Sequence, residues 1–240
     1  MALADRKAEA TETRLAGIAA PRGSGWAAEA RRAALGRVRA MGLPGRRDEY
    51  WRFTNPEALN VPEAPEAAVL AAEEAPIFEG VDRLKVVFVD GVFDAEASDP
   101  LEMAGIEIER LATAMDKDIH WIKDLYGVLE AEGHDPVPRP FAALNSASAT
   151  DGVTIRVTGK AAHPVSLIYL HADPRSDAAL HNVIKVEAGA ELTLLETGPA
   201  AARFSKVLEV DVADGATFHH VRTQGRDHER RAITHVFARL

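Results

Sequence analysis

Cysteine is absent from the 240-residue chain. That excludes disulfides, thiolate nucleophiles and cysteine-ligated metal centres, so this chain alone has no four-thiolate site for an iron–sulfur cluster. Basic charge is in deficit, with 28 Lys and Arg against 37 Asp and Glu and a net charge of −9. Nucleic acid and an anionic membrane surface are poor candidates for the main partner, because both require a basic face. No apolar run approaches the roughly eighteen residues of a membrane-spanning helix. The first turns carry Asp5, Arg6, Lys7, Glu9, Glu12 and Arg14 in place of an apolar signal core, so the expected location is the cytoplasm. Phosphate-loop and nucleophile-elbow signatures are also missing. Gly23-Ser24-Gly25 follows a helix and a proline, not a strand, and reads as a helix-start turn. His228-Glu229 has no second histidine four residues on, so the zinc-protease pattern is not met.

What is present is enough apolar material, 47% of residues, for one large or two small domains with a sizeable core. Residues 1–20 have helix composition, and Pro21 to Gly25 break it. A second helix is predicted from Ser24 or Gly25 to about Met41, with Trp26, Ala30, Ala33, Ala34 and Val38 on one side. Gly42-Leu43-Pro44-Gly45 ends it. Asn55 to Pro76 is acidic and proline-rich and reads as a loop. Leu84–Val89 reads as a strand, Asp90-Gly91 as a tight turn, and Val92-Phe93 as the return. A helix is predicted over 110–131, where Met115, Ile119, Ile122, Leu125, Tyr126 and Leu129 recur at three- and four-residue steps.

From about residue 141 the period becomes two. Val153–Val157, Ile184–Val186, Leu192–Leu194 and Leu208–Val212 alternate, and Gly159, Gly189 and Gly215 punctuate them at near-regular intervals. A sandwich or a β-helical solenoid fits this pattern. The resulting organisation is a helical region over 1–60, a linker with short strands and one helix over 61–140, and an all-β core over 141–240. The final run, Ala232–Leu240, reads as a strand with no capping element after it. An isolated chain of this kind is expected to associate or fray at that strand.

Three groups of residues invite a functional reading. His219, His220, His228 and His235 cluster late in the chain and could serve a small metal-dependent β-fold enzyme. Adjacent His219 and His220 point to opposite faces of a strand, however, and the nearest carboxylates, Asp227 and Glu229, lack the spacing of a barrel metal site. Such an enzyme would bind about one equivalent of divalent metal and lose it on replacement of His219 or His220. Arg31, Arg32, Arg37, Arg39, Arg46, Arg47 and Arg52 read as a solvated helix face, with an interaction surface as the alternative. Within Arg46–Thr54, Tyr50, Trp51 and Phe53 sit among alternating charges. These rings either anchor the helical arm onto a partner or pack against the arm itself, and the residues leave both readings open.

Glu49-Tyr50-Trp51-Arg52-Phe53-Thr54, preceded by Leu43-Pro44 and Arg46-Arg47, resembles the N-terminal Glu-x-Trp-Arg-x-Thr motif of the SufB/SufD family of iron–sulfur cluster assembly scaffolds. Val87–Phe93 is similar to that family's strand–turn pair. Phe141–Ala147, Asp151-Gly152-Val153 and Pro164–Leu167 resemble the start of its β-helix, and His181–Val186 through Leu194-Leu195-Glu196 the next coil. The matches run in order over 43–240, and the helical N-terminal half with a short insert points to the SufD branch. The resemblance implies an α+β chain, with a helical N-terminal region followed by a right-handed parallel β-helix that is incomplete at its C-terminal end. It implies a non-catalytic scaffold acting with a SufB-like subunit and a SufC-like ATPase. The cluster is handled by the complex, and no cofactor is held by this chain alone. Arg47, Glu49, Trp51, Arg52 and Thr54 are the motif positions, of unassigned role. Family members are longer, and the part without a counterpart here would hold further coils, the SufB-facing residues and the SufC-docking domain. His219, His220 and His235 are therefore not given an interface role.

Overall fold

The computed structural model describes residues 3–18, 23–69, 77–135, 137–198, 200–224 and 229–240. The expectations placed on Pro21, Arg22, Pro76, Asp227 and His228 lie outside the described residues. Helices α1 (Leu3–Ala16) and α2 (Gly25–Met41) are followed by a 3-10 turn at Glu49–Trp51 and by α3 (Glu57–Asn60). Then come β1 (Leu84–Val89), β2 (Val92–Asp94), β3 (Glu102–Met103), β4 (Ile106–Arg110) and α4 (Leu111–Met115). A 3-10 turn at Trp121–Asp124, α5 (Val128–Glu132) and α6 (Pro140–Ser148) lead to the remaining strands. These are β5 (Val153–Val157), β6 (Val165–Leu170), β7 (Asp177–Val186), β8 (Glu191–Thr197), β9 (Arg203–Val212), β10 (Thr217–Arg222) and β11 (Arg231–Arg239). The chain is α+β, with helices concentrated in the first half.

The strands form two mixed sheets, in the orders β10-β8-β6-β1-β2 and β11-β9-β7-β5-β4-β3. From β5 onward the chain alternates between them, and from β7 onward each strand lies parallel to the one two before it. Thr154 stands opposite Val183, Asp177 opposite Arg203, and Arg203 opposite Arg231. In the other sheet Val165 faces Leu194 and Glu191 faces Thr217. The corners stack as well: Gly189, at φ 71°, donates its N–H to the Asp214 carbonyl at 3.2 Å, one turn below Gly215. The alternating apolar positions fill the space between the sheets with Phe88, Leu167 and Leu194 from one and Ile155, Ile184 and Leu208 from the other. Each such side chain contributes roughly 1.5–3 kcal/mol of burial free energy.

The second sheet is covered on its outer face by α6, which in turn carries α2. Buried on both sides, β7 hides nearly every residue from Ala178 to Val186, so its alternation is partly lost. Helix α2 ends where Gly42, at φ 65°, donates its N–H to the Val38 carbonyl at 2.8 Å. Of its predicted inner face, Trp26, Ala34 and Val38 are buried, whereas Ala33 is exposed. The Asp90-Gly91 turn closes the β1–β2 hairpin as expected, with Val89 opposite Val92.

Three features differ from the sequence expectations. The single helix over 110–131 is three short pieces, because His120 adopts an extended backbone and Gly127 a left-handed one at φ 70°. Met115, Ile122, Leu125, Tyr126 and Leu129 are still buried, but on a folded-back segment, and Ile119 is 92% exposed. The stretch entering the β-region, Phe141–Ala147, is helical in α6, with Pro140 at its first turn. Strand β1 is already part of a sheet, parallel to β6 with Leu84 opposite Val165, so sheet structure starts well before residue 141.

Candidate functional site

The motif at 47–54 is placed by a small loop. Asp48 accepts the Gly45 N–H at 2.6 Å and pairs with Lys7 at 3.4 Å, and Glu49–Trp51 then makes one 3-10 turn. That turn drives the Trp51 ring edge-on into Phe141, with centroids 5.3 Å apart, in a cluster with Leu15, Val38, Leu43 and Leu144. Arg47, Glu49, Arg52 and Thr54 are exposed, as are Tyr50 and Phe53, and the Arg52 guanidinium lies 5.4 Å above the Phe53 ring. Trp51 thus ties the arm to α6, while the motif's polar side chains do not converge on a common point. The arginine series splits too. Arg31 is buried and donates to the Ala149 carbonyl at 2.9 Å, and Arg37 meets the buried Glu130 carboxylate at 2.5 Å. Those two are structural and not part of a solvated face.

The structure separates the described histidines. On β10, His219 is exposed and His220 turns inward to Glu196, its Nε2 2.9 Å from Oε2. His235 stacks on Phe237 on the outer face of β11. Burial pushes His235 down to about 4, Arg139 and His134 add to this, and Glu130 opposes it. Among the described residues, no three His, Cys, Asp or Glu side chains gather as a metal-ligand set. No helix among them is long and apolar enough to cross a membrane.

Between the sheets runs a ladder of polar groups, of which the sequence patterns singled out only His220. Asn182 on β7 donates to the Tyr169 hydroxyl on β6 at 3.4 Å, and accepts from the Val153 N–H at 3.0 Å. Tyr169 donates to Glu196 Oε1 on β8 at 2.8 Å. The other carboxylate oxygen, Oε2, takes the ammonium of Lys206 on β9 and His220 on β10. Arg222, on the same strand as His220, donates to Thr234 on β11 at 2.6 Å. Glu196 and Lys206 are wholly buried and Asn182 and Tyr169 nearly so, while the His220 side chain is 19% exposed.

Burial pushes the Glu196 carboxyl up, but the bond from His220 and the charge of Lys206 outweigh it and hold it at about 2. Burial pulls Lys206 down, beyond what Glu196 restores and with Arg222 adding to the fall, to about 8. The two partners fare differently because Glu196 collects three donors and Lys206 one acceptor. Both stay charged at neutral pH. Burial, reinforced by Glu196, raises Tyr169 well above its ordinary value. These bonds tie β6, β7, β8, β9 and β10 to one another across the space between the sheets.

A second cluster sits on the outer face of the same coils. Glu209 accepts the N–H groups of Gly127 at 2.7 Å and Glu130 at 2.8 Å, and takes His181 Nε2 at 2.7 Å. The Tyr126 ring lies 4.3 Å from His181, and its hydroxyl donates to the Ser146 carbonyl at 2.7 Å. Burial raises that hydroxyl to about 12. Asn145 of α6 reaches two strands, donating to the carbonyls of Leu180 and Ser205 at 3.1 Å. The conformationally irregular segment 125–130 and α6 are thereby pinned to β7 and β9.

Among the described residues, β10 and β11 each have a strand neighbour on one side only. No protein-family model matches the chain, and no curated protein matches it.

Proposed function

We propose that the chain is a non-catalytic scaffold subunit of the SUF system for iron–sulfur cluster assembly, acting in the cytoplasm with a SufB-like subunit and a SufC-like ATPase. The observation that carries this reading is the strand alternation. From β5 to β11 the chain passes back and forth between two sheets, and from β7 on every strand is parallel to the one two before it. We read that as a right-handed parallel β-helix, in which each coil rests on the one before. The helical arm carrying the Glu49–Thr54 segment is fastened to it by Trp51 on Phe141 and by Asn145 on β7 and β9. Polar groups that satisfy one another suit a rigid scaffold better than a site that turns over substrate.

The cluster is cargo in this reading, assembled by the complex. A chain without cysteine contributes surface and geometry to that work. The test is to tag the native protein at its N-terminus at its own locus, and to weigh intact everything that elutes with it. SufB-like and SufC-like subunits in fixed ratio are expected. A bait that elutes alone overturns the scaffold role.

A further inference from the structure

A cleft of about 710 Å3 opens beside β3 and β4, at the opposite end of the second sheet from β11. Four consecutive residues of β4, Ile106 to Glu109, line it. Successive side chains of a strand point to opposite faces, so a cleft bordered by all four runs along the strand's edge and not over one face. That edge is only partly used. Strand β3 pairs Glu102 and Met103 with Glu107 and Ile106, and goes no further. Among the described residues, Ile108–Arg110 have a strand neighbour on the β5 side alone. The Leu111 N–H donates to the Gly152 carbonyl at 2.9 Å, which sets the antiparallel phase and turns the N–H and C=O of Ile108 and the N–H of Arg110 away from β5, while the Arg110 carbonyl belongs to the N-cap of α4.

The facing wall is the loop between α4 and the 3-10 turn at Trp121. It presents Ile119, 92% exposed, beside the half-buried Trp121. His120 is held between the Ile122 N–H, accepted at Nδ1 (3.3 Å), and Glu109, reached by Nε2 at 3.1 Å. Lys117 answers the other Glu109 oxygen at 2.6 Å. The charge of Glu109 is therefore met within the wall. Glu102 and Glu107 remain exposed on the rim, and the nearest cation to Glu107 is Arg156 at 4.0 Å, itself held by Glu187 at 2.9 Å.

We propose that this cleft receives an extended, basic segment of a partner protein, which pairs its backbone with the free edge of β4 at Ile108–Arg110. Strand addition of this kind takes affinity from main-chain hydrogen bonds and specificity from alternate side chains. One set would lie on Ile108 and Ile119, and the other would bring Lys or Arg to Glu102 and Glu107. A second copy of this chain is a poorer occupant, because edge-to-edge pairing of two β4 strands would set these carboxylates against their own kind. The inference stands on the β3–β4 edge alone and does not depend on the SUF reading.

The test is a fluorescence-anisotropy titration of the full chain with labelled ten-residue peptides. One alternates Val and Lys, one alternates Val and Glu, and one is the Val/Lys peptide with every second backbone N–H blocked by methylation. The Val/Lys peptide is expected to bind one to one, more weakly as salt rises, with amide shifts at 101–110 and 117–121. Glu107→Lys and Ile119→Asp, both at exposed positions that leave the fold intact, are each expected to weaken it about tenfold or more. The proposal is overturned if the Val/Lys peptide does not bind. It is equally overturned if the acidic or methylated peptide binds as well, or if neither variant weakens binding. A chain dimer that Ile119→Asp dissolves would assign the cleft to a second copy and also overturn it.

Discussion

Lys206 and Glu196 form an ion pair with no solvent contact between the two sheets, one on each, with Leu180 and Leu167 beside them on the preceding strands and Thr234 and Arg222 on the following ones. Removing one member strands the other. Lys206→Met is expected to cost about 3–5 kcal/mol in urea unfolding, because Glu196 is left charged and buried. The double variant Lys206→Met with Glu196→Gln should recover much of that loss, since a neutral amide can accept from His220 at its oxygen and donate to the Tyr169 hydroxyl at its nitrogen. If the double variant is no more stable than the single one, the ladder does not work through this pair. The acid side has a definite sign. Glu196 is depressed to about 2 in the fold, so its contribution is present above the ordinary carboxylate value of about 4.5 and is lost as pH falls from there toward 2.

His235 sets a separate pH dependence. Its folded value of about 4 lies below the ordinary value of 6.5, so the fold favours the neutral ring. Stability from this residue is fully present above about 6.5 and falls as pH drops toward 4, by up to about 3 kcal/mol. The groups around it are Arg139 and His134, which disfavour its protonation, and Glu130, which favours it. Wild type should weaken between pH 6.5 and 4.5 by more than His235→Gln does, with amide exchange on β11 rising first. Parallel pH curves for the two proteins would show that His235 is not the source.

Trp51 and Phe53 are near neighbours with different roles. Trp51 packs edge-on against Phe141, and Phe53 is 93% exposed. Trp51→Ala is expected to cost about 2 kcal/mol, below the range for a fully buried tryptophan because this one is only half buried. Phe53→Ala and Arg52→Ala should stay within about 0.5 kcal/mol. Equal losses at Trp51 and Phe53, measured by thermal or urea unfolding, would contradict this division.

Much of the strand framework was legible in the sequence, because Val153–Val157 and Leu208–Val212 alternate and Gly189 and Gly215 mark the corners. The limits of α2 were legible for a similar reason, with Ser24 at one end and Gly42 at the other. The helix over 110–131 misled because three short turns folded back on each other bury the same spacing of apolar residues as one long helix does. The polar clusters were hidden in ordinary alternation. Lys206 and Glu196 occupy inward slots among apolar neighbours. Glu209 sits on the face that alternation assigns to solvent, but the segment 125–130 covers it. A single strand gives no sign that another part of the chain will cover its polar side.

The last two strands carry the remaining prediction. Among the described residues, strand β10 meets only β8 and β11 meets only β9, so each has a row of backbone donors and acceptors facing outward. Apolar side chains flank those rows, with Val221 45% and Val236 52% exposed. Such edges are templates for pairing, and lysine on an edge strand blocks it. The 240-residue chain is expected to self-associate with rising concentration in sedimentation velocity. Val221→Lys combined with Val236→Lys should shift it toward monomer, whereas Ile119→Asp, at the other end of the sheet, should not. A wild-type chain that stays a single monomeric species, with protected amides over Ile233–Phe237, would show that these two strands hold their edges closed without a partner.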